Sequence, residues 1–117
     1  EIAFRYNRDM DKAFVEQRIQ QIAQKIAREF QPKKIILFGS FAWGEPNKNS
    51  DVDIFIIKDT NKNRLERGQE IERILWGADF SIDALIYTTA EVERRLKLED
   101  FFIKDILSKG KTLYSSN

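Results

Sequence analysis

Apolar residues recur every third or fourth position between Asp11 and Phe30: Phe14, Val15, Ile19, Ile22, Ile26 and Phe30. That spacing predicts an amphipathic helix over 11–30, with Asp11 placed to cap its start and Pro32 to stop it. The pattern then changes. Ile35-Ile36-Leu37-Phe38 is a continuous apolar run, suited to a strand buried on both faces, and it ends abruptly at Gly39-Ser40. Residues 44–50 (Gly-Glu-Pro-Asn-Lys-Asn-Ser) read as a turn-rich loop. From Asp51 to Ile57 the alternation is that of a strand, with Val52, Ile54 and Ile56 on one face and Asp51, Asp53 and Phe55 on the other. Residues 62–77 carry a helical pattern through Leu65, Ile71, Ile74 and Leu75, weakened by about 1 kcal/mol at Gly68. A third strand is predicted over 81–88, with Asp83 in otherwise apolar surroundings. Thr89 is placed to cap a helix running through Leu96, with Glu91 and Glu93 favourable in its first turn. A short helix over 100–108 ends at Gly110, and 111–114 form a last strand. Its apolar cluster, Phe101, Phe102, Ile103, Ile106 and Leu107, is read as core rather than partner surface. Alternating helices and strands give an α/β or α+β class, a small mixed sheet flanked by helices.

Composition narrows the chemistry. A length of 117 residues predicts one domain over 1–117, with residues 1–10 as an N-terminal extension ahead of the only methionine, Met10. There is no cysteine and no histidine. Thiol nucleophiles, Ser-His-Asp and Cys-His catalysis and the usual zinc sites are excluded. A metal here is hard and oxygen-ligated, and proton transfer falls to Asp, Glu, Lys or Tyr. With 20 basic and 19 acidic residues the net charge is +1, so no bulk nucleic-acid binding is expected. Apolar runs are too short for a membrane span and the start has no signal-peptide pattern, so a soluble cytoplasmic domain is expected.

Three carboxylates stand on predicted strands. Asp51 and Asp53, two apart, share one face; two bare carboxylates there would repel and lose hydration, and a divalent cation answers both costs. Asp83 brings a third if its strand runs beside theirs. The alternative is that Asp51 merely opens the strand and Asp53 pairs with a lysine or arginine. Gly39-Ser40, directly after a buried strand and opening a short helical turn, has the makings of a phosphate cradle: glycine permits close backbone approach, and Ser40 adds a hydroxyl. An ordinary strand-to-helix turn is the alternative. Taken together, the two features describe a metal–nucleoside triphosphate site. Competing motifs fail. Glu45-Pro46 stands where a P-loop needs Lys-Ser/Thr, and an EF-hand aligned on Asn47 puts Val52 and Lys58 at the required Gly and Glu.

Gly39-Ser40, ten residues, then Asp51-Val52-Asp53 resembles the signature of the polymerase-β-like nucleotidyltransferase superfamily. The whole segment from Gly39 to Asp53 looks most like its minimal nucleotidyltransferases (MNT), often paired with a HEPN-domain protein in toxin–antitoxin modules. The resemblance implies a polymerase-β-like fold, with Gly39, Ser40 and Ser50 toward the nucleotide phosphates. It also implies two Mg²⁺ ions on Asp51, Asp53 and Asp83, and ATP as donor. Trp43 stands where many relatives carry arginine; Lys48 and Arg64 are the substitute cations considered. The implied function is antitoxin: AMP passes from ATP to a tyrosine hydroxyl of a HEPN-type ribonuclease toxin. HEPN nucleases carry an Arg-x4-His site, so a chain without histidine sits on the nucleotidyltransferase side. Two other readings stand beside it, a non-catalytic antitoxin that occludes its toxin and a small-molecule nucleotidyltransferase.

Overall fold

The computed structural model describes residues 11–116; the extension expected at 1–10 lies outside them. Nine elements follow in order: α1 (Lys12–Phe30), β1 (Lys34–Phe38), α2 (Ser40–Trp43), β2 (Val52–Ile57), α3 (Arg64–Ile74), β3 (Ile82–Tyr87), α4 (Thr89–Lys97), α5 (Phe101–Lys109) and β4 (Lys111–Ser115). The strands form one sheet in the order β3-β2-β1-β4. β1 runs antiparallel to both β2 and β4, whereas β2 and β3 are parallel, joined through the α3 crossover. The sheet is therefore mixed and flanked by helices, as the alternation of elements predicts.

Both faces of the sheet are covered, which explains the unbroken apolar runs. On one face α1 lays Val15, Ile19, Ala23, Ile26 and Phe30 against Ile35, Leu37, Val52, Ile54 and Ile56, and α3 adds Ile71 and Ile74. On the other, Ile103 and Ile106 of α5 and Val92 of α4 pack on Ile36, Phe38, Phe55 and Tyr87. Asp11 caps α1 as expected, accepting from the Ala13 N–H at 3.1 Å. Among the described residues no helix is long and apolar enough to cross a membrane.

The structure moves several boundaries. β2 starts at Val52, leaving Asp51 just outside. α3 is shorter than 62–77: Asn63 and Glu66 form a reciprocal capping box at its start, and Gly77, at φ 82°, lies past its end. Thr88, not Thr89, caps α4, in a capping box with Glu91. The cluster expected to be core at 101–107 is split. Ile103 and Ile106 are fully buried, whereas Phe101 is 73% exposed and Phe102 and Leu107 also reach solvent. An α5 of nine residues has one buried stripe, and the cluster is wider than that stripe.

Arg67 is the one charged residue buried among those described, at 6% exposure. Its guanidinium meets Glu91 with both terminal nitrogens (2.8 and 3.3 Å), and also donates to the carbonyls of Lys62 (2.8 Å) and Ile86 (3.3 Å). Burial pushes the Glu91 carboxyl up, but hydrogen bonds from Arg67 and the Thr88 N–H outweigh it and hold it below the usual range. This fork ties α3, β3 and α4 together. Arg67→Ala leaves Glu91 and two carbonyls short of donors, so unfolding in urea should show a loss of about 2–3 kcal/mol. Arg67→Lys, which cannot make the fork, should recover less than half of it.

Candidate active site

The chain leaves β1 at Phe38 and turns at once. Gly39 takes φ 76°, ψ −155°, a conformation for glycine, and a Cβ placed there would collide with the Asp53 carboxylate. Backbone and carboxylate are thus in direct apposition. α2 is a single turn, closed by the Ala42 and Trp43 N–H groups on the Gly39 carbonyl (2.9 and 3.0 Å). The Ser40 hydroxyl, half-buried at its start, has no partner among the described residues. Ser50 is engaged in the loop before β2: its N–H donates to the Asn47 carbonyl and its Oγ accepts from the Asn47 N–H, both at 2.9 Å.

Parallel pairing of β2 and β3 puts Asp53 directly beside Asp83. On its other side Asp53 is the antiparallel partner of Phe38. Phe38, Asp53 and Asp83 therefore make a row across three strands, on the face covered further along by α4 and α5. Asp51 precedes β2 and accepts from Ser81 Oγ at 2.5 Å. Burial first, then the charges of Asp83 and Asp51, raises the Asp53 carboxyl above its ordinary range. None of the three is paired with lysine or arginine among the described residues, so an ordinary ion pair does not account for Asp53. Nor does any group of three acidic side chains stand at ion-holding distance among those residues. Asp51 is turned to Ser81.

Of the two cations considered, Arg64 is misplaced. Its guanidinium lies 4.7 Å over the Tyr87 ring, and Tyr87 is four residues beyond Asp83, about 13 Å along the strand. Lys48 is exposed in the α2–β2 loop and has no partner among the described residues. Aromatic rings instead gather on Phe38, the strand partner of Asp53. Trp43 and Phe102, each about half exposed, have ring centroids 6.4 and 5.7 Å from that of Phe38. Ser81 is the residue that sequence reasoning misses. Its signal is positional: once the two strands are taken as parallel with Val52 beside Ile82, residue 81 falls beside residue 51.

The family model described as Polymerase beta, Nucleotidyltransferase matches residues 20–117. The chain belongs to this nucleotidyltransferase family. Its fold is shared with a candidate nucleotidyltransferase from Sulfolobus solfataricus, at TM-score 0.58 and 19% identity over 93% of each chain. A chain of a toxin–antitoxin complex solved with AMP-PNP also has TM-score 0.58, with 22% identity over 84% of this chain and 74% of that one. A chain of the toxin–antitoxin pair MntA-HpeT has TM-score 0.50, with 16% identity over 92% and 76%. No curated protein matches the sequence.

Nucleotidyltransferases of this family generally use a nucleoside triphosphate and a divalent metal. The donor chemistry suits such an ion, although the three side chains do not stand at ion-holding distance. The donors are all carboxylates, suited to a hard cation, and Asp53 is held up by burial and then by neighbouring negative charge, the second of which a cation would relieve. A measurable consequence follows from its raised pKa. Asp53 favours folding below the unfolded pKa near 3.8 and loses that contribution as pH rises through its higher folded value. The metal-free Asp53→Asn protein should therefore equal wild type near pH 3 and exceed it in melting temperature at pH 7. Mg²⁺ should raise the melting temperature of wild type and leave the variant unmoved.

Proposed function

We propose that this protein is a Mg²⁺-dependent nucleotidyltransferase that acts as an antitoxin, moving AMP from ATP to a tyrosine hydroxyl of a cytoplasmic HEPN-type ribonuclease toxin. The observation that carries the transferase reading is the register pair Asp53–Asp83, with Asp51 two residues away and the Gly39 backbone against it. Asp51, Asp53 and Asp83 would hold the metal, whose charge would oppose that of the triphosphate and of the transition state. Gly39 lets the backbone come close to the phosphates, and Ser40, with its hydroxyl uncommitted, donates to them. Ser50 shapes the loop that delivers Asp51. The tyrosine oxygen attacks the α-phosphorus and a new P–O bond forms. The bond from that phosphorus to the oxygen bridging to the β-phosphate breaks, and pyrophosphate leaves. Asp83, exposed on the outermost strand, takes the phenolic proton.

Support for a polypeptide acceptor comes from the surface around the carboxylates. Trp43 and Phe102, each about half exposed, stand against Phe38, the strand partner of Asp53, more apolar surface than a solvated small-molecule site needs. The fold likeness to chains of toxin–antitoxin complexes agrees with it. The same apolar surface favours a second reading, in which the protein silences its toxin by stoichiometric occlusion alone.

Intact-mass measurement separates the two. After incubation with the product of the neighbouring gene, ATP and Mg²⁺, that product should gain one or more adenylyl groups on tyrosine. Asp53→Ala should cut the rate at least ~100-fold, the loss of about 3 kcal/mol of transition-state stabilisation. A tight complex with no mass change would leave occlusion as the function.

A further inference from the structure

Among the described residues β3 is an edge strand, with β2 on one side and no strand on the other. The phase of its ladder is set by two bonds, from the Val52 N–H to the Ser81 carbonyl (2.8 Å) and from the Lys58 N–H to the Tyr87 carbonyl (2.9 Å). Odd-numbered residues thus direct their carbonyls at β2, and Ile82, Ala84 and Ile86 direct their backbone groups outward. The Ile86 carbonyl is taken by Arg67. The outward groups of Ile82 and Ala84 have no partner among the described residues. These two positions flank Asp83.

Beside this open edge runs a groove of about 490 Å³ between α3 and β3, lined by Gly68, Ile71, Leu75, Trp76, Ile82 and Asp83. Trp76 rises at its rim, 87% exposed. Gly68, a helix-weakening residue in mid-α3, has open space where a side chain would sit, so its smallness keeps the groove clear. Backbone donors and acceptors repeated along an open strand are what an extended polypeptide pairs with.

We propose that the acceptor polypeptide binds as a strand added to the open edge of β3, in a register that sets its hydroxyl-bearing residue opposite Asp83. This rests on the reading of the protein as a transferase to a polypeptide. Alternation then decides the neighbours. A residue opposite Asp83 points to the carboxylate face, and the residues on either side of it point to the α3 face, into the groove. The preferred acceptor is a tyrosine flanked by apolar residues in an extended segment. Arg67, bonded to the Ile86 carbonyl, closes the edge beyond that point and limits register slip.

The test uses the full chain, ATP, Mg²⁺ and the product of the neighbouring gene as the toxin, with amide hydrogen exchange and steady-state kinetics. The Ile82 and Ala84 amides should gain protection when the toxin is added. Gly68→Leu, which fills the groove and favours the helix, should raise KM for the toxin at least tenfold, with kcat and KM for ATP unchanged. Ala84→Pro, which removes one outward N–H, should do the same. If Ala84→Pro does not fold, Gly68→Leu decides alone. Normal toxin KM in Gly68→Leu, with transfer intact, overturns the edge-strand proposal and leaves the transferase reading standing. Absence of transfer by wild type overturns both. Protection of Ile82 and Ala84 in the chain alone, with self-association in sedimentation, overturns it in favour of a second copy on that edge.

Discussion

Two carboxylates held side by side by a parallel strand pair are the constraint on which this molecule turns. Asp53 and Asp83 are in register, so neither can move away without breaking the ladder that carries Ile54, Phe55 and Ile56 into the core. Bare, this arrangement is unfavourable, as the raised Asp53 carboxyl reports. The sheet tolerates it because both of its faces are buried: α1 and α3 on one side, α4 and α5 on the other. Hydrophobic burial of that extent dwarfs one repulsive pair, so the sheet holds in place an arrangement that a cation would relax. The Gly39 backbone, against the same carboxylate, brings the end of β1 and the start of α2 to the point of strain.

What the chain reveals before folding is what short-range periodicity can carry. The two faces of β2, the cap on α1 and the Gly-Ser and Asp-x-Asp pieces follow from spacings of two to four residues. Pairing between distant elements does not. That Asp83 sits beside Asp53 depends on β3 running parallel to β2, which depends in turn on α3 crossing over as one helix. Ser81 reaches Asp51 for the same reason and carries no local signal of it. Arg64 and Arg67 show the limit most plainly. Three residues apart on one helix, both look solvated in the sequence. One lies over Tyr87 and the other is buried because Glu91, 24 residues on, meets its fork. Phe101 and Phe102 err in the opposite direction: apolarity alone predicts core, but a helix packed on one stripe leaves its other rings outside.

The two edges of the sheet are treated differently, and the difference has a physical meaning. Exposed edges invite unwanted pairing, and folded proteins blunt them with charge, side-chain caps or irregularities. On β4 all three are present. Lys111 is paired with Glu16 at 3.1 Å, Gln20 donates to the Leu113 carbonyl at 3.0 Å, and the pairing with β1 is broken by a register shift at Ile35/Ile36. On β3, among the described residues, the one side-chain cap is Arg67 at Ile86. The stretch left open, Ile82 to Ala84, has no lysine, no proline and no bulge. Its only charge, Asp83, belongs to the carboxylate row. An edge left open at the one place where it borders the carboxylate row is hard to attribute to neglect, since the opposite edge of the same small sheet is defended three ways. The asymmetry is what a strand-accepting site requires: open for two residues, closed by Arg67 immediately after, and aligned so that the incoming chain can present only one side chain to Asp83.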